Sequence, residues 1–314
     1  MTLDEATTRF LGELTRAGST PIREMTVEEA RALPGRFRDR FGPAPEMAAL
    51  TRGRVPVPGG HVRVRLLVPN DRLAGLIVYY HGGGWVIGAV EEFETLGRTL
   101  AARTGCAVLL VDYRLAPEYR FPTAVEDAWA ALRWADAHLE ELAGARVPLI
   151  VAGDGAGGNL AAVMAQRAKA DGGPAIALQV LVYPITDCDR DTTSYTEPDN
   201  QLMLSRDSMT WFWAHYAPVE AARAHPDASP LRQPDLTNLP PAVIVTAEHD
   251  VLRDEGELYA TRLMKAGVPV QHRRFTGQMH GFYAMIDILP GSQAGLDFVT
   301  DAVGQVTSAP TART

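Results

Sequence analysis

Four short stretches of the chain carry groups with chemistry to offer. In Val147-Pro148-Leu149-Ile150-Val151-Ala152-Gly153-Asp154-Gly155-Ala156-Gly157-Gly158-Asn159-Leu160, an apolar run passes directly into small residues and then into a helical pattern. A strand-to-helix turn this sharp needs small flanking residues, and it lifts its central residue above the sheet edge in a strained conformation. That is a nucleophile elbow, G-x-S-x-G, with glycine, Gly155, where the serine belongs. Gly153, Gly155 and Gly158 also fit G-x-G-x-x-G, in which glycines admit a pyrophosphate to a helix N-terminus. The dinucleotide reading is disfavoured because the motif follows a late strand. The next strand, moreover, ends at Tyr183-Pro184 with no acidic residue to hold a ribose.

The second stretch, His81-Gly82-Gly83-Gly84-Trp85, follows the apolar run Leu76–Tyr80. Consecutive glycines leave backbone N–H groups uncovered, as the stabilisation of a developing oxyanion requires. Bulky His81 and Trp85 on either side set the run apart from a flexible turn, and His81 is expected to fix the loop rather than act as a base. The third stretch is Glu248-His249-Asp250, after the apolar residues 242–247. Asp250 suits either a helix cap or an active-site acid. A metal site here is disfavoured, because adjacent residues diverge on a turn and no H-E-x-x-H or second ligand cluster accompanies them. In the fourth, Gln278-Met279-His280-Gly281-Phe282, a histidine follows the final strand. Positions 155, 250 and 280 thus stand on successive strand ends in the order nucleophile, acid, histidine.

These positions need a sheet whose carboxyl edge gathers them. Residues 61–68 alternate as a half-buried antiparallel strand does, whereas 76–80, 106–111, 147–152, 178–183 and 242–247 are continuous apolar runs suited to strands covered on both faces. Helical patterns at 93–103, 123–142, 159–170 and 255–266 separate them, and a last strand at 270–275 precedes a helix at 293–306. The alternation predicts an α/β fold with a parallel sheet and right-handed crossovers. Residues 1–50 read as helices, with a capping box at Thr26-Val27-Glu28-Glu29 and an apolar face that must dock elsewhere. The stretch 185–240 is too long for a crossover. It carries Met203, Met209, Trp211, Phe212, Trp213 and Tyr216, which together would wall a pocket as a cap. The expected organisation is therefore a main domain of 51–184 and 241–314, with a cap built from 1–50 and 185–240.

Composition narrows the partners. The chain has 314 residues, 46% hydrophobic and 22% charged, with a net charge of −8, and its arginines are scattered among carboxylates, which argues against nucleic acid. No apolar run approaches a membrane span, and Met1-Thr2-Leu3-Asp4-Glu5 lacks the basic-then-apolar order of a signal peptide, so a cytoplasmic location is expected. Cys106 and Cys188, the only cysteines, show no metal or redox spacing and are expected to be free thiols. Disorder is expected only in the tail, 307–314.

With H-G-G-G at 81–84, G-D-G-A-G-G at 153–158 against a family G-D-S-A-G-G, and Asp112-Tyr113-Arg114-Leu115-Ala116-Pro117-Glu118, the chain resembles the bacterial hormone-sensitive-lipase family of carboxylesterases. The likeness spans residues 61–282. It implies an α/β-hydrolase fold, an eight-stranded, mostly parallel sheet flanked by helices with a helical cap, and hydrolysis of short to medium acyl esters without metal or cofactor. It places Gly155 at the nucleophile's position, Asp250 as acid and His280 as base, with the oxyanion held by the amides of Gly83, Gly84 and Ala156. It also implies possible dimerisation through a sheet-edge strand. Glycine cannot form an acyl-enzyme, so the chain is expected to be nearly inert by the serine route. Three readings follow: a Ser-to-Gly substitution silencing an esterase, favoured because Asp250, His280 and the glycine loop remain; a natural binding protein; or a non-covalent hydrolase, lyase or cyclase in which His280 and Asp250 act directly on water or a proton.

Overall fold

The computed structural model describes residues 2–18, 20–33, 35, 40 and 42–308. Strands β1 (Ala49–Val57), β2 (Gly60–Val68), β3 (Leu76–Tyr80), β4 (Ala107–Asp112), β5 (Leu149–Asp154), β6 (Ile176–Val182), β7 (Ala242–His249) and β8 (Val270–Met279) form one sheet in the order β1-β2-β4-β3-β5-β6-β7-β8. β2 pairs antiparallel with β1 and β4, and every other pairing is parallel. This is the eight-stranded, mostly parallel sheet expected. The continuous apolar runs are its central strands, and β3, β5 and β7 are buried along their whole length. A crossover helix covers each face of such a strand, so neither side of the pleat needs polar residues.

The helices are α1 (Glu5–Arg16), α2 (Val27–Ala32), α3 (Glu94–Thr104), α4 (Thr123–Ala137), α5 (Leu139–Ala143), α6 (Ala156–Asp171), α7 (Thr193–Thr196), α8 (Arg206–Tyr216), α9 (Glu220–Arg223), α10 (Arg253–Lys265) and α11 (Pro290–Thr307). Alternate strand residues feed two cores. Leu76, Val78 and Tyr80 join Leu132 of α4, Leu160 of α6 and Leu263 of α10. Ile77 and Tyr79 join Leu96 of α3 and Leu296 of α11.

Several boundaries differ from the sequence reading, each for a local reason. The helix expected over 123–142 breaks at His138, whose backbone leaves the helical region (φ −108°, ψ 16°) while its Nδ1 lies 2.8 Å from the Trp134 carbonyl. Helix α6 starts at Ala156 rather than at 159, since the small residues of the elbow already form its first turn. The segment 1–50 is not helical to its end: β1 begins at Ala49. The last helix extends over 290–307, so Thr307 is helical, and the rest of the tail expected to be disordered, beyond Ser308, lies outside the described residues.

Two anchors tie the N-terminal helices to the body. Asp4 caps α1 by accepting from the Thr7 amide, donates its own amide to the Gly277 carbonyl, and accepts from Gln278 Nε2 beside the end of β8. The predicted capping box of α2 forms between Thr26 and Glu29. From the end of α2, Arg31 donates to Glu118 and to the carbonyls of Val86 and Ala116. Among the described residues no helix is long and apolar enough to cross a membrane.

Candidate active site

The four stretches meet at the carboxyl ends of β3, β5, β7 and β8. β3 and β5 are neighbours in the sheet, as are β7 and β8. At the end of β5, Gly155 adopts φ 53° and ψ −113°, the conformation of the first central residue of a type II′ turn, where glycine dominates. Its carbonyl accepts from the amides of Asn159 and Ile185, and its amide donates to the Val182 carbonyl, so both neighbouring segments fix the turn. The following glycine is required by space rather than conformation, because a Cβ on Gly157 would come within 1.8 Å of the Tyr80 carbonyl oxygen. The elbow spacing, with Gly157 two residues after Gly155, therefore lets α6 lie up against the end of β3.

A Cβ built on Gly155 meets only His280 within 4 Å, with Nε2 at 3.8 Å and Cε1 at 3.9 Å. The other ring nitrogen of His280, Nδ1, lies 2.8 Å from Asp250 Oδ2. A carboxylate accepts, so Nδ1 carries the proton and the lone pair of Nε2 is directed towards position 155. Asp250 is fully buried, and its second oxygen accepts from the Leu252 amide at 3.0 Å. Helix α10 is capped at Leu252 with no side-chain cap bond, so Asp250 is not its cap: one oxygen shapes the turn before α10 and the other faces the imidazole. The Tyr183 ring, 4.5 Å from the imidazole between centroids, backs it.

Gly83 and Gly84, with φ of 108° and 58°, turn the loop after β3 around the same space. Side chains are excluded there, since a Cβ on Gly84 would lie 2.2 Å from the Phe212 ring and one on Gly83 2.2 Å from the Ile87 carbonyl oxygen. Among the described residues no protein acceptor takes the amides of Gly83, Gly84 or Ala156, and all three residues line one cavity with Gly155 and His280. His81 fixes this loop as expected. It is buried, its Nδ1 is 2.7 Å from the Gly82 carbonyl, its carbonyl accepts from Tyr113 Oη, and its ring stacks on that of Tyr113. Burial pushes its imidazole below the ordinary histidine value, which keeps it neutral.

Asp154 is the functional group that sequence reasoning missed. Its Oδ1 accepts from Tyr79 Oη at 2.8 Å and from the Gly82 amide at 3.0 Å, which joins the elbow to the glycine loop. Burial pushes its carboxyl up to about 6, against the lowering effect of those hydrogen bonds. The available signal was the pair of phenols Tyr79 and Tyr80 at the end of an otherwise apolar strand, because a buried tyrosine hydroxyl needs a partner.

The cavity has a volume of about 700 Å³. Leu11 and Leu14 of α1 reach it from the N-terminal segment, and Met203, Met209 and Phe212 from residues 185–240. The other three cap side chains expected to wall it do not. Trp213 and Tyr216 pack against Trp85, with ring centroids 4.9 and 4.1 Å away, and Trp211 stands edge-on to His215. These aromatics hold α8 to the body instead. Glu248 is used structurally, accepting from the Gly277 amide. Among the described residues no His, Cys, Asp or Glu cluster suits a metal, and Cys106 and Cys188 are free.

A strand-to-helix elbow, a paired histidine and aspartate on later strand ends and a glycine loop over one cavity together define an α/β hydrolase. A family profile described as alpha/beta hydrolase fold matches residues 77–284, and the chain belongs to that family. Several of its relatives are carboxylic ester hydrolases. Carboxylesterase NlhH of Mycobacterium tuberculosis is 42% identical over 228 residues, covering 72% of this chain and 71% of that protein. The ethyl acetate hydrolase of Pseudomonas putida is 36% identical over 295 residues, 91% of this chain and 92% of its own. Among solved structures, the hyperthermophilic esterase of the archaeon Pyrobaculum calidifontis matches with a TM-score of 0.90 at 35% identity, covering 98% of this chain and 100% of that one.

Proposed function

We propose that the chain is a carboxylesterase of short to medium acyl esters whose covalent route is silenced at Gly155. The observation that carries this reading is the alignment of His280 Nε2 on the place where a residue-155 side chain would stand, 3.8 Å from its Cβ, with the elbow backbone retained. A hydroxyl on that carbon falls within the roughly 2.6–3.2 Å reach of a general base. With serine there, the hydroxyl attacks the ester carbonyl as His280 takes its proton. Asp250 steadies the imidazolium, and the amides of Gly83, Gly84 and Ala156 hold the oxyanion. His280 then protonates the departing alcohol, and water cleaves the acyl-enzyme. Glycine supplies neither the oxygen nor the bond, so esters bind without acylating the protein.

The intact Asp250–His280 pair favours a silenced esterase over a receptor that only binds ligands, for which a buried carboxylate aligned on an imidazole has no use. Leu11, Leu14, Met209 and Phe212 give the cavity its apolar side, so we assign 1–50 and 185–240 to a cap over the acyl site. A volume of about 700 Å³ lies within the range of small-molecule pockets, ~300–1,000 Å³. The test is hydrolysis of p-nitrophenyl esters of increasing acyl length by this protein and by Gly155→Ser. The serine variant should gain on the order of 10⁶-fold in kcat, the scale of a lost triad nucleophile. A variant that folds yet does not hydrolyse any of the esters overturns the assignment.

A further inference from the structure

The space in front of Gly155 is bounded by a base and by oxyanion donors, and no side chain fills it. A serine hydroxyl would be the reacting oxygen there; without it, the same position is accessible to an oxygen from solution. His280 Nε2 lies 3.8 Å from the place of a residue-155 Cβ, so the space between leaves room for an oxygen at a normal hydrogen-bond distance, roughly 3 Å, from Nε2. The lone pair of Nε2 is already aimed, because Asp250 holds Nδ1 at 2.8 Å and Tyr183 backs the ring. A water also needs two to four polar partners to be held. Nε2 and the uncommitted amides of Gly83, Gly84 and Ala156 border the same cavity.

We propose that this protein hydrolyses activated esters, those of phenols and enols, in one step, with His280 and Asp250 driving water directly onto the carbonyl beside Gly155. The inference rests on the ester-site reading above. His280 Nε2 removes a proton from water as the water oxygen bonds to the carbonyl carbon, and the carbonyl π electrons move onto oxygen, held by the three amides. When the adduct collapses, the C–O bond to the leaving group breaks and the phenolate or enolate departs with the electron pair. It then takes up the proton from His280. One water and one ester give one acid and one phenol, and no covalent intermediate forms.

The restriction to activated esters follows from this adduct. It can expel either the added oxygen or the leaving group, and a phenolate departs far more readily than an alkoxide. The serine route has no such restriction to the same degree, since His280 protonates the alcohol before the acyl-enzyme is cleaved in a separate step.

The experiment compares p-nitrophenyl, phenyl and ethyl acetate with the protein as it stands, with Gly155→Ser, and with two variants of the pair, His280→Ala and Asp250→Asn. The unaltered chain should exceed the buffer rate for p-nitrophenyl acetate by on the order of 10⁵-fold, ~10³ from an oxyanion hole and binding alone and ~10² from a general base. His280→Ala should lose that ~10² and fall back to the level of the oxyanion hole and binding. Rates should fall steeply from p-nitrophenyl to ethyl acetate, stopped-flow traces should show no stoichiometric burst of p-nitrophenol, and diisopropyl fluorophosphate should leave the activity untouched. Gly155→Ser should show the burst and be abolished by the same reagent. A rate equal to buffer, a burst in the unaltered chain, sensitivity to the fluorophosphate, or rates unchanged in both His280→Ala and Asp250→Asn overturns the inference. Gly155→Ser activity in any of those cases preserves the esterase assignment, and its absence removes the assignment independently.

Discussion

The conformation of residue 155 makes a stability prediction that is separate from catalysis. At φ 53° and ψ −113° a glycine is unstrained, whereas any residue with a Cβ is held in a sparsely populated region at a cost of ~1–3 kcal/mol. Steric overlap adds nothing, because the Cβ finds only the His280 ring, at 3.8 Å or beyond. Replacing glycine also restricts the unfolded chain, which returns ~0.4–1 kcal/mol. Gly155→Ala should therefore lose ~0–2.6 kcal/mol, about 1.3 at the middle of both ranges, and lower the thermal midpoint by a few degrees, at ~2–4 °C per kcal/mol. Gly155→Ser should lose less, since a hydroxyl bonded to His280 Nε2 recovers ~0.5–1.5 kcal/mol. Differential scanning calorimetry of the three proteins reads both differences, with His280→Ala combined with Gly155→Ser as the control that removes the hydrogen bond. An alanine variant more stable than the glycine chain would refute the elbow conformation. Equal losses for alanine and serine would refute the alignment of His280.

Two further outcomes come from groups around the elbow. The Asp154 carboxyl is raised from 3.8 to about 6, so its protonated form is the one the fold prefers. The stability this contributes is fully present below about pH 4 and is lost as pH rises through about 6, by about 3 kcal/mol at roughly 1.4 kcal/mol per pH unit. Asp154→Asn keeps an acceptor for Tyr79 and Gly82 without the charge. Its stability relative to the parent, from chemical denaturation between pH 4 and 7.5, should climb by up to that amount, and a pH-independent difference would refute the attribution. Gly84→Ala drives a Cβ to within 2.2 Å of the Phe212 ring at a φ of 58°. In the Gly155→Ser background it should cut kcat by ~10²-fold or more, the effect of losing one oxyanion donor, and Phe212→Ala should partly rescue it. Full activity of the Gly84→Ala double variant would remove that amide from the site.

The positions of Gly155 and Asp250 were legible because each follows a strand whose burial is written as a continuous apolar run, and that of His280 because it follows the last strand in the alternation, β8, which is mixed in composition. The chain order of β5, β7 and β8 then brings 155, 250 and 280 to one edge. Features that depend on contacts between those runs were not. Strand β1 is exposed along most of its length at the sheet edge, so its composition carries little of the apolar signature of the central strands. Asp154 looks like an ordinary turn residue, and its role appears only when β3 and β5 lie side by side and Tyr79 and Gly82, more than seventy positions away, reach its carboxylate. Within α8, Met209, Phe212, Trp213 and Tyr216 form the single stripe that helical spacing predicts. The spacing does not tell which part faces the cavity; Trp85 decides it by drawing Trp213 and Tyr216 away.

The elbow keeps its shape without a side chain at position 155. Nothing in the turn depends on a side chain at 155: its backbone is set by the bonds from Asn159, Ile185 and to Val182, and by the approach of Gly157 to Tyr80. The same independence holds for Asp250, which also shapes the turn before α10, and for Asp154, which binds the glycine loop to β5. Packing and hydrogen bonding thus hold His280, Asp250 and the glycine loop as structural parts of the sheet edge. On the proposed ester-site reading, chemistry at this edge is decided by which oxygen stands beside His280, whether it belongs to residue 155 or comes from water.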